Sequence, residues 1–212
     1  MIAIIDYEAG NLTSVKRALN FLGQDSKITR DYDEVIGAER VIFPGVGAAG
    51  SAMGDLKRLG LDEALLVSYQ EGKPMLGICL GTQIILEWSE ENDTPCLGLI
   101  KGRVLRFAGT LVDEEGRRLK VPHMGWNGVI RKRSHPIFDG VPLDSEFYFV
   151  HAYYPAPAVA SEVLGETNYG IPFASVLTSR NLVAVQFHPE KSGRPGLQIL
   201  SNFCRWKGGE DA

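Results

Sequence analysis

MLGICLGTQIIL, Met75–Leu86, sets one cysteine between two glycines, each two residues away. Ahead of Cys79 the chain is apolar, as a buried strand is; from Thr82 to Trp88 the spacing begins a helix. A core strand has no use for two glycines. A G-x-nucleophile-x-G elbow does, because the chain there turns sharply from strand into helix. The nucleophile takes a strained backbone conformation and its neighbours two away must be small. Such a turn puts the sulfur at a helix N-terminus, which favours the thiolate. It also aims the Leu80 amide at any oxyanion forming on a bound carbonyl. The bland alternative is a small buried hydrophobe at a strand end. On the pattern alone the two readings are evenly matched.

Outward from this stretch, strands are predicted at Met1–Asp6, Ser26–Thr29, Arg40–Phe43 and Pro74–Ile78. Helical spacing covers Leu12, Val15, Leu19 and Leu22, with Asn11 as a cap, then Ala49–Arg58 and Asp62–Glu71. This alternation implies right-handed crossovers and a parallel sheet. After Pro95 helical periodicity nearly vanishes. Leu99–Phe107, Leu119–Pro122, Trp126–Lys132, Glu146–Tyr153, Phe173–Thr178 and Leu182–Phe187 read as strands, with a tight hairpin at Ser179–Asn181. DEEGRR reads as a solvated hairpin tip. A last helix starts near Pro195 with Leu197, Leu200, Phe203 and Cys204 on one side. The expected fold is α/β: one domain over residues 1–212, an open, mostly parallel sheet flanked by helices, with a β-rich C-terminal half.

Hydrophobic residues at 44% permit a real core, and a net charge of −4 gives no pull toward nucleic acid or anionic membrane. The three cysteines, Cys79, Cys96 and Cys204, cannot all pair with one another and lie too far apart for zinc-type CxxC pairs, so a reduced, cytoplasmic setting is expected. The N-terminal apolar run reads as a first strand rather than a signal peptide, and no stretch approaches the length of a membrane span.

A nucleophile needs a base, and there are four histidines to choose from. His188 follows the apolar VAVQF, and Glu190 comes two residues later. In extended chain i and i+2 share a face, so the carboxylate can orient the imidazole and stabilise its charged form. The alternative is an exposed His-Pro turn with a solvated glutamate. The order Cys, His, Glu departs from the Ser, acid, His order of α/β-hydrolases, which counts against an ordinary esterase. PGVG, Pro44–Gly47, ends the third strand at the same sheet edge, where glycines let backbone N–H groups approach a ligand. It lacks the Lys-Ser or Lys-Thr of a phosphate loop.

LGICLGTQ, the downstream FHPE and the upstream PGVG together resemble the class I, triad-type glutamine amidotransferases. IIDYEAGNLTSV, PHMGWN (Pro122–Asn127), FYFVHAYY (Phe147–Tyr154), YGIPF (Tyr169–Phe173) and QFHPEKSGRPGLQILSNF resemble, within that class, the glutaminase subunits of imidazole glycerol phosphate synthases. The resemblance implies hydrolysis of L-glutamine to glutamate and ammonia. It implies a heterodimer with a (β/α)8-barrel cyclase that uses the ammonia to make imidazole glycerol phosphate and an aminoimidazole carboxamide ribotide, a step of histidine biosynthesis. It implies Cys79 as nucleophile, His188 as proton carrier and Glu190 as its orienting acid. Leu80 with Val46 or Gly47 would serve the oxyanion. Gly45, Gly47, Gln83, Ala152 and Tyr153 would contact glutamine. Asn11, His123, Met124, Trp126 and Lys191 would face the cyclase. No cofactor and no metal is implied.

The chain departs from the family pattern at Glu8 and Ala9, at Ala152 where serine is common, and at Gly47–Gly50, which lacks an aromatic. Of the other histidines, His151 reads as packed or hydrogen-bonded and His135 as a loop residue; for His123 a structural role competes with a partner-facing one. Three rival functions fit the elbow: a thiol hydrolase acting alone, a non-catalytic subunit, and an amidotransferase serving another acceptor.

Overall fold

A computed structural model describes residues 1–8 and 12–209. All four residues of β1 (Ile2–Ile5) are buried, as in a strand covered on both faces. The chain continues through α1 (Leu12–Phe21), β2 (Ser26–Thr29), α2 (Tyr32–Gly37), β3 (Arg40–Gly45), α3 (Ala49–Leu59), α4 (Leu61–Gln70), β4 (Met75–Cys79) and α5 (Leu80–Ile84). Then come β5 (Trp88–Ser89), β6 (Thr94–Pro95), β7 (Gly102–Arg106), β8 (His123–Gly128), β9 (Ile130–Arg131), β10 (Glu146–His151) and β11 (Tyr153–Pro157). Finally β12 (Val163–Asn168), β13 (Pro172–Ser179) and β14 (Leu182–Val185) lead to α6 (Gly193–Arg205).

The main sheet runs β2-β1-β3-β4-β14-β13-β12-β9. Its first five strands are parallel and its last three antiparallel. Alternate strand residues feed two cores. Ile2, Ile4, Ile42, Leu76 and Ile78 pack against Leu19 of α1 and Ile199, Leu200 and Phe203 of α6. Ile5, Val41, Phe43 and Met75 pack against Met53 and Leu56 of α3 and Leu61 and Leu65 of α4. Two smaller sheets, β10-β8 and β11-β7-β5-β6, stand beside the main one. No helix is long and apolar enough to cross a membrane.

Several sequence expectations need correction. The helix after the elbow starts at Leu80, not Thr82, and stops at Ile84 rather than running to Trp88. Its C-terminal carbonyls are taken by the returning chain: Leu97 N–H donates to Ile84, Ile100 to Ile85 and Gly98 to Leu86. Leu119–Pro122 forms no strand; beside it a single bridge joins Val112 and Arg118. Glu146–Tyr153 is two strands, because β10 pairs with β8 while β11 pairs with β7, and the chain changes sheets at Ala152. Both α2 and β12 were absent from the sequence reading. α2 is short and capped by Asp31, which accepts from Glu34 N–H at 3.0 Å. In β12 the polar run Glu166–Asn168 hides the strand pattern. The proposed cap Asn11 lies outside the described residues.

The glycines of the elbow answer to contact distances. A Cβ on Gly81 would lie 2.0 Å from the Phe43 carbonyl oxygen, and one on Gly77 3.1 Å from the Gly81 carbonyl carbon. The hydroxyl of Thr82 donates to the Val185 carbonyl at 2.6 Å, which ties α5 to β14. Gly81→Ala is expected to destabilise the protein by about 1–3 kcal/mol, as overpacking against a fixed backbone does. Gly77→Ala should cost less. Urea unfolding at constant slope is the check; a wild-type midpoint for Gly81→Ala would contradict the close approach.

Candidate active site

β4 ends at Cys79, whose backbone stands at φ 54°, ψ −105°, and α5 begins at the next residue. The cysteine is 6% exposed. Its sulfur lies 3.9 Å from the Val150 carbonyl and 3.8 Å from Gln186 Nε2. β14 runs parallel to β4, so the chain leaving its end reaches the same sheet edge. That chain carries Gln186 and His188 and then a 3-10 turn, Pro189–Lys191, which holds Glu190; the extended chain that the spacing suggested is not found there. Backbone bonds fix the segment: His188 N–H donates to the Tyr148 carbonyl at 2.9 Å, and the Ser192 hydroxyl donates to the His188 carbonyl at 2.6 Å.

His188 Nδ1 and Glu190 Oε1 are 2.8 Å apart, with side-chain exposures of 3% and 2%. The other ring nitrogen, Nε2, is buried without a hydrogen-bond partner. Cys79 is near enough to raise the affinity of the ring for its proton. Burial works against a charged imidazole, but bonding and attraction to Cys79 and Glu190 outweigh it, and the pKa is pushed up to about 9. The ring therefore stays protonated through neutral pH.

A cavity of about 320 Å³ opens above the sulfur, lined by Val46, Gly47, Leu80, Gln83, Ala152 and Tyr153, with Glu91 and Pro122 at its edge. Gly45 does not line it; a Cβ there would meet the buried Tyr7 hydroxyl at 1.9 Å, so this glycine makes room for a tyrosine. The Ala152 carbonyl accepts from Phe107 N–H at 3.0 Å and is already engaged.

The Tyr153 carbonyl sets the direction of the polar groups around the sulfur. A backbone carbonyl only accepts, so Gln83 must present Nε2 to it, at 3.0 Å. The same Nε2 donates to Gln186 Oε1 at 3.1 Å, which turns Gln186 Nε2 toward Cys79. Gln83 is left with its carbonyl oxygen to offer a ligand.

Two site residues escaped the sequence reading. Gln186 sits two before His188, in the bend that follows β14, and its amide reaches the Cys79 sulfur. Glu91 lies in a polar turn without periodicity; its Oε2 accepts from Ala49 N–H at 2.7 Å, which anchors a carboxylate at the cavity edge.

The residues expected at a partner surface divide. Met124 and Trp126 are 62% and 54% exposed on the outer face of β8. Trp126 meets Tyr148 edge-on, and Lys191 Nζ lies 6.0 Å over the same ring. These four form one face next to the His188–Glu190 segment. His123 is not part of it: the side chain points inward and is buried, because β8 alternates. Among the described residues no three His, Cys, Asp or Glu side chains converge as metal ligands would.

A family model described as glutamine amidotransferase class-I matches residues 3–206. The chain is 52% identical over 206 residues to a protein of Nitratidesulfovibrio vulgaris described as imidazole glycerol phosphate synthase subunit HisH, covering 97% of this chain and 96% of that one. It is 53% identical to the protein so described from Maridesulfovibrio salexigens, with 97% of each covered. It is 49% identical to that of Chromobacterium violaceum, with 98% of each covered. Among solved structures, a crystal structure of a glutamine amidotransferase superposes with TM-score 0.73 at 19% identity, covering 96% of this chain and 100% of that one. The glutaminase domain of Trypanosoma brucei CTPS with bound acivicin gives 0.64 at 15%, covering 96% and 93%. These two share the fold. The chain belongs to the class I glutamine amidotransferases and, among them, to the HisH subunits of imidazole glycerol phosphate synthase.

The raised His188 pKa has a direct readout. Titrated by NMR, its imidazole should remain charged at pH 7 and lose its proton as pH rises through about 9. Glu190→Gln should lower that midpoint. A wild-type midpoint at or below the ordinary value of about 6.5 would contradict the assigned pairing.

Proposed function

We propose that this chain is the glutaminase subunit of an imidazole glycerol phosphate synthase, hydrolysing L-glutamine to glutamate and ammonia on Cys79. One observation carries the chemistry: a buried His188–Glu190 pair beside a cysteine on a strained turn, under a cavity sized for an amino acid.

The Cys79 thiolate adds to the side-chain carboxamide carbon of glutamine. The oxyanion is met by the Leu80 N–H and by an amide of Val46 or Gly47. As the C–N bond breaks, His188 gives its proton to the departing ammonia, leaving a γ-thioester on Cys79 and a neutral imidazole. His188 then takes a proton from an attacking water. The C–S bond breaks, and the thiolate and imidazolium return together. Glu190 holds the ring and stabilises its charged form. Gln83 through its carbonyl oxygen, Glu91 through its carboxylate, and the Gly47, Ala152 and Tyr153 wall fit the α-amino end of the substrate. Gly45 acts through shape alone.

The ammonia goes to a separate (β/α)8-barrel cyclase in a cytoplasmic heterodimer. There it enters imidazole glycerol phosphate and aminoimidazole carboxamide ribotide, within histidine biosynthesis. The exposed Met124, Trp126 and Lys191, contiguous with the His188–Glu190 segment, suit the cyclase face. Ammonia released without an acceptor is wasted, so turnover should rise when the cyclase is bound.

Cys79→Ala is expected to abolish glutamine turnover while the fold and the complex persist, and to fail to rescue a histidine auxotroph that the wild type rescues. Unchanged turnover in the variant would refute the nucleophile. An active glutaminase that rescues nothing would mark another ammonia acceptor.

A further inference from the structure

His123 and His151 face each other across the β8–β10 ladder, and both are buried. His123 Nδ1 lies 3.0 Å from His151 Nε2, and His151 Nδ1 lies 2.7 Å from the Tyr153 carbonyl. The carbonyl can only accept, so His151 must carry its proton on Nδ1. Its Nε2 is then an acceptor, and His123 must donate from Nδ1. That leaves His123 Nε2 as an acceptor, and Asn127 Nδ2 stands 3.3 Å away with a proton to give. Each tautomer follows from its neighbour, and the series ends on the backbone atom that orients Gln83, Gln186 and so the donor facing Cys79.

We propose that the His123–His151 pair is a positioning element for the glutaminase reaction: His123 holds the His151 ring, whose Nδ1–H in turn holds the Tyr153 carbonyl from which the Gln83–Gln186 amides at Cys79 take their direction. The inference rests on the glutaminase reading of Cys79.

The surroundings say what the imidazoles contribute. His123 is stacked between Phe149 and Tyr169, with ring centroids at 4.9 and 4.0 Å, and His151 packs beside Phe107 and Phe173. A phenyl ring would fill either place. Burial pushes the His123 pKa down to about 4 and that of His151 to about 3, so both rings are neutral where glutamine is turned over. Neither ring can act as an ion pair. What they add over phenylalanine is a directed N–H.

His151 borders the cavity, and Tyr153, two residues on, begins β11 just after the chain changes sheets. The Tyr153 carbonyl accepts from two side chains, His151 and Gln83. Without a donor on its Nε2, His151 keeps its proton on Nδ1, because the carbonyl only accepts, but the ring loses the bond on its far side and aims that N–H less firmly at the carbonyl.

The test pairs two substitutions with one spectrum, on the full chain alone and with its cyclase. His123→Phe keeps the stacked ring and loses the donor. His123→Asn loses the ring and keeps a donor near the Nδ1 position. If the pair positions the site, His123→Phe lowers kcat about tenfold, the scale of one lost hydrogen bond, while losing less thermal stability than His123→Asn. KM should change less. His123→Asn is less stable yet closer to wild type in kcat. Nitrogen NMR should find His151 neutral and protonated on Nδ1 at pH 7, with its Nε2 resonance shifted in His123→Phe by loss of the hydrogen bond it accepts. Wild-type kcat in a folded His123→Phe, or kcat tracking stability across the two variants, would overturn the proposal. So would a wild-type His151 protonated on Nε2, a result readable even if no variant folds. A wild type with no glutamine turnover under either condition would instead sink the glutaminase reading, and the spectrum would still decide the tautomer claim.

Discussion

At Cys79 the backbone stands at φ 54°, ψ −105°, where a residue with a Cβ is strained by about 1–3 kcal/mol. The surroundings that hold it there are short-range and rigid. Gly81 lies against the Phe43 carbonyl with no room for a methyl group, and Thr82 is bonded across to the Val185 carbonyl. β3 and β14, the strands on either side of β4, therefore clamp the turn. The same two strands deliver the rest of the chemistry. β3 ends in the loop carrying Val46 and Gly47, and β14 runs into Gln186, His188 and Glu190. One backbone constraint thus collects Cys79, His188 and the Val46–Gly47 loop at a single sheet edge, the usual place for ligands in an open parallel sheet.

Direction matters as much as distance around the sulfur. The Tyr153 carbonyl admits only donors, and that rule fixes Gln83, then Gln186, then the N–H facing Cys79. His188 is held from its far side by Glu190, so its other nitrogen is turned toward the sulfur. The charge assignment follows from the same geometry. A buried imidazole would ordinarily be neutral, as His123 and His151 are; His188 is the exception because a carboxylate and a sulfur flank it.

Local spacing carried much of this into the sequence. Two glycines at fixed offsets gave the elbow, and the two-residue spacing gave His188 with Glu190, although a 3-10 turn at Pro189–Lys191 rather than extended chain brings them together. The alternation of strands and helices through Leu86 gave the parallel half of the sheet. What depends on distant pairing was not legible. The partnership of His123 with His151 exists only because β8 and β10 are in register, and the stop of α5 at Ile84 only because residues 97–100 return to cap it. Glu91 reaches the cavity from a turn with no period to read. Gln186 stands two before His188, but its place at the sulfur depends on Gln83 and Cys79, both over 100 positions away.

The account stands or falls on a covalent bond between Cys79 and the γ-carbonyl of glutamine. Rapid acid quenching during turnover, followed by peptide mass spectrometry, looks for it directly. A γ-glutamyl adduct confined to the Cys79 peptide, accumulating when water attack is slowed and absent from Cys96 and Cys204, is the predicted result. Glutamine turnover that proceeds at full rate with no adduct on Cys79 under any quench time would contradict it.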